Sequence, residues 1–308
     1  MDIKSYKLQF LEYLEIEKNR SRKTIENYDH YLSRFVEFVG ATRSPDKISE
    51  EDVRKFRLHL NRLTDTKGES LKKVTQNYHV IALRAFLKYL SKRDVACITA
   101  EKVELGKQED RGVSFLEKDE LERLVNYPDG VSLSGLRDRC ILHTLFSTGL
   151  RVSELCSLNR DEIDLERGEF YVKGKGKKVR VVFLSHGARD VMKNYLSKRV
   201  DMDPAMFIRV PQNGRFELFE DLRLTPRSIQ RIVKGYASLA GVVGKKVSPH
   251  TLRHSFATDL LKNGADIRSV QTMLGHSSVV TTQIYTHVTD KQLRETHEKF
   301  HDAEHKEI

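Results

Sequence analysis

The stretch that most restricts the fold covers residues 248–288, with the sequence SPHTLRHSFATDLLKNGADIRSVQTMLGHSSVVTTQIYTHV. The residues that can begin and end helices in this stretch predict two short helices and the start of a third. Ser248, followed by proline, suits the N-cap of the first helix, and Gly264 ends it. The second helix is predicted to begin at Asp266 and to stop at Gly275. Residues with this spacing are typical of a compact helical domain.

Four polar side chains of this stretch fall outside its apolar pattern. The buried stripe of the first helix is predicted at every fourth residue: Leu252, Phe256 and Leu260. His250 and Arg253, three residues apart, lie on another face, so both can point at one ligand. His276 follows the glycine that ends the second helix, and Tyr285 comes nine residues later. These side chains are therefore candidates for a functional site.

Two further motifs lie upstream. Residues 148–155, TGLRVSEL, predict a short helix whose outer face carries Arg151 and Glu154, so that the acid can brace the guanidinium. A structural salt bridge would show the same pattern. Residues 169–184 alternate and then become apolar around a Lys-Gly-Lys turn, which predicts a β-hairpin with Lys175 at its tip. A basic hairpin tip is also typical of a DNA-backbone contact or of a solvated loop.

Together, HTLRHSFAT, LGHSS, TTQIYTHV, TGLRVSEL and GKGKK resemble, in order and spacing, the signature of the tyrosine recombinases, the lambda-integrase or Xer-type family. The resemblance implies an enzyme that cuts and rejoins DNA through a 3′-phosphotyrosine, with no metal or other cofactor and no ATP. It also implies the catalytic residues, which are Arg151, Lys175, His250, Arg253, His276 and, as nucleophile, Tyr285. Glu154 would be the carboxylate that supports the first arginine.

The N-terminal part predicts a separate helical bundle. Four amphipathic helices are expected, at Ile3 to Glu17, Ser21 to Gly40, Glu50 to Leu63 and Ser70 to Ser91. This bundle resembles the family's core-binding, SAM-like domain, which we place at residues 1–100. A charged linker follows at 101–112, and the catalytic domain is expected at 113–308. The expected fold is therefore mainly α with a small antiparallel β-hairpin, in a two-domain, C-shaped clamp on DNA.

A formal net charge of +10 means that the surface attracts polyanions. Basic residues of the bundle could contact DNA phosphates, and the candidates are Arg20, Arg22, Lys23, Lys72, Lys73 and Arg84. For any one of them, a merely solvated charged face is an equal interpretation. The expected partners are a double-stranded DNA recombination site and either further copies of this chain, as a tetramer, or a paralogous recombinase.

Neither a membrane segment nor a secretory signal is evident, so we expect a cytoplasmic protein without membrane partners. Because the chain begins almost directly with the first predicted helix, we expect no additional arm-binding domain. The three cysteines show no paired spacing and are predicted to be reduced core residues: Cys97, Cys140 and Cys156. The tail is predicted to form a helix with a narrow apolar stripe, docked on a neighbouring protomer or on its own domain: Leu293, His297 and Phe300.

Other functions stay open on the sequence. His250 and His254 have a spacing that zinc sites use, although Thr251 stands where such a motif has glutamate. A DNA-binding protein without chemistry and a type IB topoisomerase would share many of these residues. Within the recombinases, Xer-type resolution of chromosome or plasmid dimers and mobile-element integration use the same chemistry. The role of the acidic insertion near residues 216–222 is not evident from the sequence.

Overall fold

The computed structural model describes residues 1–64, 68–106, 114–174, 178–211 and 221–275. The chain divides into two compact units, Met1–Arg111 and Gly112–Ile308. Within the described ranges, no helix combines the length and the apolar character that a membrane span requires. Each unit has its own hydrophobic core.

The first unit contains the four helices that the sequence predicts. They are α1 (Ile3–Ile16), α2 (Arg22–Val39), α3 (Glu50–Arg62) and α4 (Lys73–Ser91). Ser21 caps α2 by accepting from the backbone N–H of Thr24, and Ser49 caps α3 in a reciprocal capping box with Asp52. Local side-chain chemistry therefore sets the starts of both helices.

Aromatic contacts hold these helices together. The ring centroids of Phe10 in α1 and Phe86 in α4 are 5.5 Å apart, and those of Phe35 in α2 and Phe56 in α3 are 5.0 Å apart. All four side chains are almost completely buried. Pairs at these distances add about 0.5–1.5 kcal/mol each to the gain from burial alone.

Residues in the first half of the predicted linker at 101–112 contact the first unit. Val103 is buried in the core of that unit, after a short 3-10 turn at Ala100–Lys102. The Asn77 side chain donates to the carbonyl oxygen of Gly106 at 2.9 Å and accepts from its N–H at 3.1 Å. The buried Val103 side chain and the two hydrogen bonds of Asn77 therefore hold this segment on the first unit despite its charged composition. Residues 107–113 lie outside the described ranges.

The second unit is mainly helical with one small sheet. Its elements are α5 (Lys118–Asn126), α6 (Leu133–Thr148), α7 (Val152–Ser157), β1 (Ile163–Asp164), β2 (Glu169–Lys173), β3 (Val179–Phe183), α8 (His186–Ser197), α9 (Pro226–Leu239), α10 (Pro249–Lys262) and α11 (Ile267–Leu274). The strands pair antiparallel in the order β1-β2-β3, with Phe170 opposite Val182. The predicted hairpin is present, and the predicted mainly α class with a small antiparallel sheet is confirmed.

Some boundaries differ from the prediction. The catalytic domain expected from residue 113 has its first helix only at Lys118, because the preceding residues are extended and the Leu116 N–H donates to Ser255 Oγ at 2.9 Å. Of the stripe predicted in α10, Leu252 is buried, while two members are only half-buried and cover a small core formed with α11: Phe256 and Leu260. That helix therefore buries a broader surface than its apolar spacing indicates.

The three cysteines are free, with Cys140 and Cys156 buried and Cys97 half-buried. Burial raises the pKa of Cys140 to about 12 and that of Cys156 to about 11. Both side chains are therefore protonated thiols that pack as small apolar groups, as the sequence predicts.

Candidate active site

The site begins at the turn between α6 and α7. Gly149 ends α6 in the left-handed conformation, with φ of +60°, and a Cβ at this position would collide with the ring of Phe256 in α10. A residue with a side chain would meet both backbone strain and a packed aromatic ring. The turn delivers Arg151 to the N-cap position of α7, so Arg151 precedes the helix instead of lying on its face.

Glu154 is buried, with 6% of its surface exposed, which corrects the prediction that it shares an outer helix face with Arg151. It accepts two hydrogen bonds from Arg151, one from the backbone N–H and one from Nη1, both at 2.8 Å. Two more come from Arg180, at 2.9 and 2.8 Å. Burial alone would raise the pKa of Glu154, but hydrogen bonds and charge from Arg180 and Arg151 outweigh it and lower the pKa to about 2. The carboxylate therefore stays ionised at any working pH.

Arg180, in β3, also contacts Glu154 but was not among the candidate residues predicted from the sequence. Its two terminal nitrogens hold both oxygens of Glu154, and its Nε donates to the Met273 carbonyl oxygen at 3.0 Å. A usable signal was present, since a single arginine interrupts the apolar strand VRVVF. A charge on a strand that packs against a core needs a buried partner.

Arg253 lies inside the protein, with 4% of its surface exposed. One terminal nitrogen donates to the carbonyl oxygen of Gly149, and the other donates to that of Leu274 at 2.6 Å. Arg253 therefore joins the turn after α6 to the end of α11.

Three arginines from three separate segments meet at the end of α11. The pairs are Arg180 Nε with the Met273 carbonyl at 3.0 Å, Arg253 Nη2 with the Leu274 carbonyl at 2.6 Å, and Arg151 Nη2 with the Gly275 carbonyl at 3.0 Å. The last carbonyls of a helix lack partners within the helix and form the negative end of its dipole, so cations are stabilised there. This arginine cluster therefore brings two predicted catalytic arginines together one residue before His276.

His250, the second residue of α10, joins the arginine cluster electrostatically. Desolvation by surrounding protein, followed by the positive charges of Arg253 and Arg151, lowers the pKa of His250, although its side chain reaches solvent. Burial, followed by interactions with His250 and with the positive charge of Arg253, lowers the pKa of the half-buried His254 to about 4. Both imidazoles are therefore neutral at pH 7, and His250 can exchange a proton with a bound group.

The zinc alternative depends on a third ligand near these two histidines. Among the described residues, no group of three or more histidine, cysteine, aspartate or glutamate side chains comes together in a way that could hold a metal ion.

Lys175, His276 and Tyr285 lie outside the described residues, as do the insertion near 216–220 and the tail. The base of the loop that carries Lys175 is described. The Gly174 N–H donates to the Lys178 carbonyl oxygen at 2.8 Å, and a Cβ on Gly174 would lie 3.7 Å from Glu154 Oε1. The loop therefore starts beside the arginine cluster.

Five of the six DNA-contact candidates in the first unit are solvent-exposed: Arg20, Arg22, Lys23, Lys72 and Lys73. Arg84 differs, because it is half-buried and donates to the Val103 carbonyl oxygen at 2.9 Å. That contact ties α4 to the segment that follows it, so Arg84 has a structural role whatever else it contacts.

Comparison with known proteins gives matches in both units of the chain. Residues 114–292 match the phage integrase family, and residues 8–94 match the phage integrase N-terminal SAM-like domain. The tyrosine recombinase XerC of Thermodesulfovibrio yellowstonii is 35% identical over 96% of both chains. The tyrosine recombinase XerD of Oceanobacillus iheyensis is 35% identical over 95% of this chain and 96% of its own.

A solved structure extends the likeness to three dimensions. The XerH site-specific recombinase, bound to a palindromic difH substrate after cleavage, has a TM-score of 0.70 and 25% identity over 95% of this chain and 84% of its own. The chain belongs to the phage integrase family, the tyrosine recombinases that cut and rejoin DNA through a covalent bond to a tyrosine. Within that family it is a site-specific recombinase of the Xer type.

Proposed function

We propose that this chain binds a double-stranded recombination site and that Tyr285 is its nucleophile. The Tyr285 oxygen attacks the scissile phosphorus and forms a 3′-phosphotyrosine while the bond to the 5′ oxygen breaks. Lys175 gives that oxygen a proton. A 5′ hydroxyl from the partner strand then attacks the phosphotyrosine and releases the tyrosine. Since the phosphotyrosine conserves the energy of the broken bond, this sequence needs no ATP.

The arginine cluster supplies charge stabilisation in this proposal. Arg151 and Arg253 donate to the non-bridging oxygens, and His250 and His276 add donors as negative charge grows on phosphorus. Removing one donor of this kind costs about 10²–10³ in rate. Glu154 does not touch the substrate but holds Arg151 in place.

One observation carries the proposal: Arg151 and Arg253 converge on the end of α11 from distant parts of the chain. The chain leaves that end directly into His276, and the loop with Lys175 begins beside Glu154. Arg151, Arg253 and the residues that directly precede Lys175 and His276 thus lie close together, which supports the proposal. Neutral His250 beside two guanidiniums fits a proton acceptor for the tyrosine.

The test of the nucleophile uses Tyr285→Phe, which removes one hydroxyl. We expect the variant to bind DNA normally and to form no covalent complex on a suicide substrate, measured by denaturing gel electrophoresis. A control is Tyr171→Phe, because Tyr171 is an exposed residue of β2. Normal adduct yield from Tyr285→Phe would remove this residue from the mechanism.

The role of Lys175 is tested through the leaving group. A sulfur in place of the bridging 5′ oxygen departs without a proton. Lys175→Ala should therefore cleave ordinary DNA about 10²–10⁴-fold more slowly and the sulfur-substituted strand almost normally. Lys178→Ala, at the base of the same loop, is the matched control. If sulfur restores nothing, Lys175 binds the phosphate instead of protonating the leaving group.

For the biological task we propose resolution of chromosome or plasmid dimers in the cytoplasm, with four subunits on two DNA sites. The relatives carry both the XerC and the XerD name, so the four subunits are either copies of this chain or two of it with two of a paralogue. The purified chain alone on two-site DNA distinguishes these, because only a self-sufficient enzyme yields recombinants. Mapping the bound genomic site separates dimer resolution from mobile-element integration. Relaxation of supercoiled DNA that lacks the site would favour the topoisomerase alternative.

A further inference from the structure

Arg180, which contacts Glu154 from β3, is more deeply buried than Arg151, which contacts the same carboxylate. Its side chain is 11% exposed, against 30% for that of Arg151. Nη1 and Nη2 donate to the two Glu154 oxygens at 2.9 and 2.8 Å, and Nε donates to the Met273 carbonyl oxygen at 3.0 Å. All three nitrogens of its guanidinium are thereby held by protein, so Arg180 is placed to act on other residues of the site.

These contacts join three segments of the chain. The Arg180 backbone lies in β3 opposite Val172 of β2, so it is fixed to the hairpin. Its fork holds the buried carboxylate of α7, and its Nε holds the end of α11. A Cβ on Gly275 would lie 3.2 Å from the Arg180 side chain, which shows how closely the chain passes just before His276.

We propose that Arg180 is a positioning residue for strand cleavage, which fixes Glu154 so that the guanidinium of Arg151 faces the scissile phosphate, and fixes the end of α11. This inference rests on the function proposed above and adds a residue to its machinery. Lysine can replace arginine here only in part, because it keeps the positive charge but a single ammonium has no planar fork for both carboxylate oxygens.

The charged groups around Glu154 provide a test that distinguishes positioning from other roles of Arg180. Within the described part of the chain, the charged groups that contact Glu154 are Arg151, from the start of α7, and Arg180, from β3. Two cations on one carboxylate are tolerated only while the carboxylate is ionised. Removal of Arg180 takes away its hydrogen bonds and charge, which lower the pKa of Glu154, while the burial that raises this pKa stays.

The experiment compares Arg180→Gln and Arg180→Lys with the wild-type chain on a suicide half-site. At saturating DNA we expect Arg180→Gln to cleave about 10²-fold more slowly, as a small misplacement of a catalytic group would cause, with DNA affinity within about twofold of wild type. Arg180→Lys should recover part of the rate. Arg189→Lys is the control, since Arg189 also donates to two backbone carbonyls, at 2.9 and 2.7 Å, but away from the cluster. It should cleave normally.

A pH profile separates positioning from a general loss of structure. In Arg180→Gln, the cleavage rate should fall on the acid side at a higher pH than in the wild type, because Glu154 then takes up a proton more easily. In Arg180→Lys, which keeps the positive charge, this acid limb should stay near its wild-type position. The double variant with Glu154→Gln should be no slower than the slower single variant, since both residues act through one contact.

The inference is overturned if Arg180→Gln and Arg180→Lys cleave within about twofold of wild type, or if the Glu154 and Arg180 effects multiply. Should Arg180→Gln fail to fold, by circular dichroism and thermal melting, the rate and pH profile of Arg180→Lys decide the question. Two further variants, Tyr285→Phe and Arg151→Ala, show whether the proposed function itself fails. If these two cleave normally, the proposed function itself is wrong, whereas their inactivity beside a fully active Arg180→Gln rejects the positioning role alone.

Discussion

The two units of the chain use arginine in different ways. In the first unit, exposed arginines pair with carboxylates, Arg22 with Glu26 and Arg54 with Glu51 on their own helices and Arg93 with Glu17 at the end of α1. Two others donate to a backbone carbonyl oxygen, Arg43, which also pairs with Asp52, and Arg84. In the second unit, arginines reach across the fold to carbonyl oxygens at the ends of helices and in loops. The donors are Arg123, Arg137, Arg151, Arg160, Arg180, Arg189, Arg199, Arg223 and Arg253.

The difference separates two physical roles of the same residue. An exposed pair on one helix is screened by water and salt and contributes little to stability. A buried guanidinium offers five donors in a fixed plane, which satisfy backbone oxygens where regular structure stops. The first unit thus keeps exposed positive charge available to a polyanion, whereas many arginines of the second unit hold irregular backbone, some of it around the site.

The largest expected effect is the loss of a buried arginine. Arg199 has a side chain only 1% exposed, pairs with Asp201, and donates to three backbone carbonyl oxygens. Arg199→Ala leaves the buried Asp201 carboxylate unpaired, so we expect a loss of about 3–5 kcal/mol in the free energy of unfolding. Urea denaturation followed by circular dichroism measures it. Arg54→Ala, in the first unit, should leave the unfolding transition unchanged. Equal effects of the two variants would show that buried and exposed arginines do not differ in their contribution to stability.

Gly149→Ala tests the turn on which the arginine cluster depends. The left-handed backbone costs a residue with a Cβ about 1–2 kcal/mol, and overpacking against Phe256 adds about 1–3 kcal/mol. Gly187→Ala is the matched control, because Gly187 lies in α8, has no positive φ, and a Cβ there meets no atom within 4 Å. Thermal melting should show a clear loss for the first variant and no loss, or a small gain, for the second. A stable Gly149→Ala protein would mean that this turn adjusts easily.

Acid should weaken the second unit through Glu154. Its pKa is depressed from 4.5 to about 2, so its contribution is complete above the unfolded pKa and is lost as the pH falls from about 4.5 towards 2. The shift corresponds to about 3 kcal/mol. Peptide-resolved hydrogen exchange across α6 and α7 measures the local opening free energy at each pH. In Glu154→Gln the dependence on pH in this window should flatten, and parallel curves for both proteins would contradict the assignment.

The smallest effect on stability is expected at the exposed arginines of the first unit. Arg22→Ala should leave the unfolding transition unchanged, because the side chain is 95% exposed. If Arg22 contacts a phosphate, its loss should weaken binding to all DNA sequences alike and reduce the slope of log affinity against log salt by about 0.9. Fluorescence anisotropy at several salt concentrations measures that slope. An unchanged slope would assign Arg22 to the solvated face.

Much of the architecture was predictable because its causes are local. Ser21 and Ser49 cap their helices through residues three positions away, and Gly149 and Gly275 end theirs in the left-handed conformation. Apolar spacing, caps and turn glycines act within one or two helical turns, so they can be recognised in the sequence. The hairpin at 169–184 could also be recognised from local sequence. The order of the motifs was enough to suggest the family.

The sequence by itself thus determined the helices, the hairpin, the family and a list of candidate residues, whereas the tertiary structure decided what those residues contact. Arg180 meets Glu154 across 26 residues, Arg253 meets Gly149 across 104, and Arg151 meets Gly275 across 124. The burial of Glu154 and the attachment of Gly106 to Asn77 are also decided at long range. No local pattern encodes such pairs, because a buried charge is stabilised by whichever donors the packed chain brings within about 3 Å.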